Sequence, residues 1–418
     1  ITAPPDAAMA QTELFEPARH EALAGAAWSD AAAAAGIDRI VHCTLAEYRP
    51  GDGWPAHPLD DPETPGECFG PLYHGGAGVL LALRHLARRG VAAPLPADAA
   101  GLMATLRERH LAELAGHRHG TASFLLGSTG IDLLRWTLTG DAALLDTLHD
   151  AIAGNLHNPA REQLWGNPGT VLAAIALAEA TGQPRWMALV RASADALESE
   201  LEHDATLDCW LWVQDLYGRP GQRMLGAGHG FAGNLFPFLR GAALLPADQV
   251  ARLLDRALQT LLATALRADG AVNWLPDAHP GPTRPRKLLV QDCHGAPGIV
   301  VRLSAAPRSP AWDRLLAEAG ELAWRAGPLT KGASLCHGTA GSALALLKLW
   351  VRTGDHHWLD RARALAMHAI GQVDAHRAQH GQGRHSLWTG DLGVACIVQA
   401  CRDAGVPGGD AFPSLDNF

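Results

Sequence analysis

The sequence predicts an all-α protein, a seven-fold double α-toroid in which an (α/α) barrel of inner helices is wrapped by outer ones. Three observations carry that prediction. A Gly-x-x-Gly element recurs seven times, each copy leads into an almost uniformly apolar run, and segments with charged positions at helical spacing separate the copies. Alternating Val, Ile, Thr and Tyr are scarce while Ala and Leu dominate, so few strands are expected.

Residues 1–72 read as an N-terminal arm with one or two helices. They end in loop clusters, Gly51-Asp52-Gly53-Trp54-Pro55 and Pro58-Leu59-Asp60-Asp61-Pro62-Glu63-Thr64-Pro65. The toroid is expected over residues 73–418, joined to the arm as one domain. Its first turn is Tyr73-His74-Gly75-Gly76-Ala77-Gly78, followed by Val79-Leu80-Leu81-Ala82-Leu83. The later turns start from Gly127, Gly166, Gly230, Gly295, Gly338 and Gly390. Apolar runs of this kind suit helices buried on all sides, whereas Trp312–Ala323 and Trp358–Leu365 keep one charged face and read as outer helices. All inner helices of such a ring start at the same end. The seven turns therefore converge on one mouth, where free helix-start N–H groups are expected to favour anionic ligands.

The chain has 418 residues, 48% hydrophobic and 18% charged, enough to build a large core and to exclude wholesale disorder. Its net charge of −9, with no Lys/Arg run, argues against nucleic acid or an anionic membrane as partner. Seven cysteines scattered from Cys43 to Cys401 make a poor disulfide framework and suit reduced thiols or metal ligation in the cytoplasm. Neither a basic-then-apolar signal near Ile1 nor an 18-residue apolar run is found, so no membrane span is expected.

Cys293-His294-Gly295 and Cys336-His337-Gly338 occupy the same register of consecutive repeats, so a ring brings them side by side. Thiolates and imidazole suit Zn²⁺, and three protein ligands leave a fourth position for water or substrate. His229 precedes Gly230 in the register of His294 and His337, which makes it a candidate general acid or base. His74 shares that register in the first repeat.

These residues also carry a family resemblance. The runs Leu225-Gly226-Ala227-Gly228-His229-Gly230-Phe231-Ala232-Gly233, Cys293-His294-Gly295-Ala296-Pro297-Gly298 and Leu335-Cys336-His337-Gly338-Thr339-Ala340-Gly341 resemble lanthionine synthetase C and its eukaryotic LanC-like relatives. The match covers nearly the whole chain after Tyr73. It implies a seven-fold double α-toroid and a zinc ion held by Cys293, Cys336 and His337. The implied reaction adds an activated cysteine thiolate to dehydroalanine or dehydrobutyrine, with His229 managing the proton. The partners are then glutathione or a cysteine-containing peptide on one side, and a dehydroamino acid-containing peptide or protein on the other.

Bacterial cyclases of this kind carry an aspartate four residues before the first glycine of the second repeat, where this chain has Ser123. The run Ser123–Gly127 instead resembles the LanC-like branch, which adds glutathione to dehydroamino acids in damaged proteins. Lys331 and Arg384 are similar to the cations that hold glutathione carboxylates in that branch. Where the family usually has tryptophan before the first zinc cysteine, this chain has Asp292. That residue either hydrogen-bonds a metal ligand or stands in for the missing acid/base aspartate. Arg284 and Arg286 either add positive charge at the mouth or belong to the loop surface. Three other readings stay open: a peptide cyclase served by separate dehydrating enzymes, a zinc- or thiol-binding protein without catalysis, and a barrel glycosidase using carboxylates such as Asp215 and Asp391. No carboxylate pair at matched register supports the last.

Overall fold

The computed structural model describes residues 13–25, 27–281 and 287–418; Arg284 and Arg286 lie outside them. Among the described residues, fourteen α-helices alternate between an outer and an inner layer. In chain order the outer and inner partners are α1 (Asp30–Ala46) and α2 (Gly76–Arg88), α3 (Ala99–Glu113) and α4 (Ser128–Thr139), α5 (Ala143–Gly154) and α6 (Asn167–Thr181), and α7 (Pro184–Ser199) and α8 (Phe231–Arg240). They continue as α9 (Ala247–Thr264) and α10 (Ala296–Leu303), α11 (Pro310–Ala326) and α12 (Thr339–Thr353), and α13 (His356–His380) and α14 (Asp391–Arg402). Each inner helix packs on the next, and α14 packs on α2, so the ring closes. The outer helix α1 lies against α14.

The two layers differ as their sequences require. In α12, Leu344, Ala345, Leu346 and Leu347 are all fully buried, because neighbours surround an inner helix. Outer α9 buries Leu253, Leu254, Ala257 and Leu261, one stripe at three- and four-residue spacing, and leaves its charges to solvent. Truncating any one of these leucines to alanine is expected to cost about 2–5 kcal/mol.

The second glycine of every turn has a steric cause. A Cβ at Gly78, Gly130, Gly169, Gly233, Gly298, Gly341 or Gly393 would lie 1.7–2.3 Å from the carbonyl oxygen of the residue six positions earlier. The loop thus folds back on the first turn of its own helix. That close approach also corrects the expectation of open anion sites at the helix starts. Gly76 N donates to Phe69 O at 2.8 Å, Ser128 N to Thr121 O at 2.8 Å, Phe231 N to Met224 O at 2.9 Å and Thr339 N to Gly332 O at 2.9 Å. The leading N–H groups are consumed by loop carbonyls.

Among the described residues, six short strands form three antiparallel hairpins: β1 (Leu201–Asp204) with β2 (Cys209–Trp212), β3 (Gln214–Leu216) with β4 (Arg219–Gln222), and β5 (Leu266–Ala268) with β6 (Ala271–Asn273). The first two connect α7 to α8 on the mouth side. The C-terminal segment crosses the opposite end of the ring. Lys348 of α12 pairs with Asp410 and Asp416 at 2.7 and 3.0 Å, Arg240 at the end of α8 donates to Asp416 O, and Arg89 after α2 donates to Gly408 O and Gly409 O. Phe412 and Leu415 are buried there. No helix among the described residues is long and apolar enough to cross a membrane.

Candidate metal centre

Two positions before the first glycine of each turn stand Tyr73, Leu125, Leu164, Gly228, Cys293, Cys336 and Trp388. Their backbones are linked from repeat to repeat. Gly228 N donates to Cys293 O at 3.1 Å, Cys293 N to Cys336 O at 3.3 Å, Cys336 N to Trp388 O at 3.0 Å, Trp388 N to Tyr73 O at 3.1 Å and Tyr73 N to Leu125 O at 3.0 Å. Further round, Ser123 Oγ donates to Leu164 O instead, and the Leu126 N–H bonds back to the same hydroxyl at 2.9 Å. Ser123 is fully buried and ties two repeats together.

This chain of amides brings Cys293, Cys336 and His337 together, with one ligand atom of each within 4.8 Å of the other two. Tyr73 OH donates to Cys336 Sγ at 2.9 Å, and Gln291 Nε2 donates to Cys293 Sγ at 2.9 Å. Burial pushes the Cys336 thiol well above its ordinary pKa, and the facing Cys293 sulfur adds to the shift. A cation between the sulfurs would remove both penalties. Two sulfurs and one imidazole, each sulfur oriented by a donor, form the donor set of a three-ligand zinc centre. The residues therefore fit zinc.

His229 sits beside this cluster. Its ring stacks on His294 at 5.4 Å and 27°, and its Nδ1 lies 3.1 Å from Glu162 Oε2. Glu162 is fully buried, and its two oxygens also accept from Leu164 N at 3.1 Å and Trp165 N at 2.5 Å. Nδ1 accordingly donates to Glu162 and Nε2 is left for chemistry. Burial alone would lower the His229 pKa, but the Glu162 hydrogen bond and charge outweigh it and raise the value above the ordinary range. Gln214 of β3 bonds the His229 carbonyl at 2.8 Å and fixes the backbone. Neighbouring His294 is held neutral, its pKa lowered to about 3 by burial and then by the charges of His229 and His337. His74, by contrast, packs edge-on against Phe69 at 4.8 Å and is lowered to about 4, chiefly by burial.

Asp292 and Arg384 are engaged differently from their sequence-based expectations. Asp292 points into the core, where its two oxygens meet Arg302 Nη1 at 3.1 Å and Nη2 at 3.0 Å, and both side chains are fully buried. Arg302 reaches back from α10 and engages both Asp292 oxygens. Arg384 pairs with Asp60, its Nε lying 3.0 and 3.1 Å from the two carboxylate oxygens. Asp60 comes from the segment between α1 and α2, which no motif places there. Lys331 is exposed and forms no ion pair among the described residues. Of the two carboxylates considered for a sugar site, Asp215 faces Arg118 at 3.3 Å and Asp391 lies 3.8 Å from Arg377.

Three residues of the site escaped the sequence reading. Glu162 stands four positions before Gly166, the register in which Ser123 precedes Gly127 and Gln291 precedes Gly295. Tyr73 shares the register of Cys293 and Cys336. Comparing each register across all seven repeats finds all three.

Residues 70–406 match the family described as lanthionine synthetase C-like protein. A segment of 214 residues is 30% identical to the glutathione S-transferase LANCL1 of Danio rerio, covering 49% of this chain and 47% of that protein. Another, of 193 residues, is 31% identical to the LanC-like protein GCL1 of Arabidopsis thaliana, covering 44% of this chain and 41% of the relative. The chain thus spans less than half the length of these curated relatives. Among solved structures, nisin cyclase superposes with a TM-score of 0.59 at 14% identity over 84% of this chain and 93% of its own, a likeness of fold.

Proposed function

The chain belongs to the lanthionine synthetase C-like family, and from that membership and the donor set at its mouth we propose that it joins a thiol to a dehydroamino acid. The observation that carries this reading is the convergence of Cys293, Cys336 and His337 beside a His229–Glu162 pair. Zinc bound by those three residues would supply the positive charge that keeps an incoming thiol as its thiolate near neutral pH. The residues of the chain do the rest. The Tyr73 hydroxyl and the Gln291 amide orient the two ligand sulfurs. As the thiolate sulfur bonds to the β-carbon of dehydroalanine or dehydrobutyrine, the alkene electron pair moves through the α-carbon onto the carbonyl as an enolate. His229, its Nδ1 fixed by Glu162, delivers a proton from Nε2 to the α-carbon and so completes the thioether.

We assign glutathione as the donor, on the strength of the relative that bears the glutathione transferase name. Lys331, which has no ion pair among the described residues, offers a cation for a carboxylate, while Arg384 would first have to leave Asp60. A dehydroamino acid in a peptide or protein is the acceptor, and the cytoplasm, where thiols stay reduced, is the expected compartment.

The test is zinc stoichiometry measured together with glutathione addition to a dehydroalanine peptide, for wild type, Cys336→Ala and His229→Ala. One zinc per wild-type chain, with the adduct lost in both variants, supports the reading. One zinc and no adduct with glutathione shifts the assignment to a peptide cyclase or to a zinc protein without catalysis. No zinc at all overturns it.

A further inference from the structure

Away from the metal ligands, the mouth holds a second group of rings. His117 stacks on Trp165 with centroids 4.2 Å apart at 20°, and His119 leans on the same indole at 5.7 Å. Tyr217, at the tip of the β3–β4 hairpin, lies edge-on to His119 at 6.3 Å. The row is continuous with the reaction centre, since Tyr217 is 6.1 Å from His229, which stacks on His294. Loop and hairpin are tied together. Asn158 Nδ2 donates to His119 O at 2.9 Å, and Arg118 pairs with Asp215 of the hairpin.

Within this group His119 is anomalous. It is 3% exposed, yet neither Nδ1 nor Nε2 has a hydrogen-bond partner among the described residues. Trp165 Nε1 is also without an acceptor among the described residues, and burial, then the charge of Glu162, push the neighbouring Tyr217 hydroxyl up to about 12. A buried imidazole left unsatisfied at both nitrogens destabilises a fold, and a phenyl ring would fill the same space without that cost. Burial and the charges of His117 and Arg118 lower the His119 pKa, so the ring is neutral and presents one N–H donor and one lone pair. Together with the indole N–H, it complements a group carrying both a carbonyl oxygen and an N–H. Tyr217 lies edge-on beside the His119 ring, at the tip of the hairpin. It has a left-handed backbone (φ 52°) and is 59% exposed, so it is the ring that must turn aside to admit a ligand.

We propose that His119, Trp165 and Tyr217, backed by His117, form a subsite for a backbone amide of a peptide substrate, gated by Tyr217. The proposal rests on the thioether-forming reading, in which the acceptor is a peptide and glutathione carries amides of its own. Either source offers the same chemistry.

Two zinc-loaded full-length variants separate the possibilities. His119→Phe keeps the ring and removes both nitrogens; His119→Gln keeps a donor and an acceptor. His119→Phe is expected to raise Tm and to raise KM about tenfold for one substrate, with kcat within about twofold of wild type. His119→Gln should restore KM towards the wild-type value. A rise confined to the dehydroalanine peptide places the acceptor in the subsite, and a rise confined to glutathione places the donor there. If His119→Phe does not fold, Trp165→Phe, which removes the indole N–H, provides the same comparison. Calorimetric binding of the alanine counterpart of the acceptor peptide, and of glutathione, keeps the test independent of turnover. Should wild type form no adduct, loss of that binding in His119→Phe still supports the subsite while the reaction assignment fails. Unchanged KM for both substrates, or unchanged binding of both probes, alongside a raised Tm reduces His119 to a packing ring and overturns the proposal.

Discussion

Glu162 Oε2 and His229 Nδ1 stand 3.1 Å apart although 67 residues separate them in the chain. Glu162 comes from the third repeat and His229 from the fourth, so the ring joins these two residues across a repeat boundary. The carboxylate occupies the register that Ser123 fills one repeat earlier, and Ser123 is left to bind a neighbouring carbonyl.

Glu162→Gln keeps the volume and removes the charge that orients His229 and raises its pKa. Turnover in glutathione addition is expected to fall about 10²-fold, the usual size of an acid/base contribution, with zinc content unchanged. Metal analysis and kcat on the same preparation check this, and an unaltered kcat would take Glu162 out of the mechanism.

Asp292→Asn leaves the Arg302 guanidinium buried against a neutral partner. Breaking a buried ion pair on one side costs about 3–5 kcal/mol, so the unfolding midpoint should drop clearly. Zinc stoichiometry and kcat per folded molecule should hold. A variant of wild-type stability that has lost turnover would instead give Asp292 a part in the chemistry.

Two glycine-to-alanine changes should act in opposite directions. At Gly298 the new Cβ would lie 1.7 Å from the Asp292 carbonyl oxygen, so Gly298→Ala must displace a turn beside the metal ligands and should destabilise by more than about 3 kcal/mol. At Gly101, on exposed α3, a Cβ meets nothing within 4 Å. Gly101→Ala should therefore stabilise by about 0.4–1 kcal/mol by restricting the unfolded chain. Denaturant unfolding of both variants measures the contrast.

Stability should fall in acid partly through His85. Burial, then the charges of Arg89 and Arg88, lower its pKa to about 4 in the folded chain, against an ordinary value near 6.5. Between those values the unfolded state takes up a proton that the native state refuses. Stability is thus lost as pH falls from about 6.5 to about 4 and levels off below. His85→Leu should flatten that slope, by up to about 3 kcal/mol at pH 4, in urea titrations at a series of pH values.

The ring was legible because its causes are local and repeated. Each turn needs its second glycine for the same 1.7–2.3 Å approach, and each inner helix needs an unbroken apolar surface. A pattern that recurs seven times marks itself. The shared register of Cys293 and Cys336 was readable for the same reason, since equal positions in adjacent repeats project to one face. What lay between repeats was harder to read. Asp60 reaches Arg384 from a loop without repeat character, and the β3–β4 hairpin places Tyr217 over His119 from a segment that carries no motif.

The sequence by itself therefore determined the number of repeats, the layer to which each helix belongs, and which thiols and imidazoles share a register, because composition and spacing express those directly. Tertiary structure decided the partners. Asp292 adjoins Cys293 in sequence but meets an arginine in space, because the loop folds back on α10 and brings its carboxylate to Arg302. Glu162 meets His229, and Tyr73 meets Cys336, because closing a ring brings together repeats that the chain keeps apart. A buried charge or donor takes whichever partner the closed ring supplies, and that choice depends on the packing of all seven repeats together.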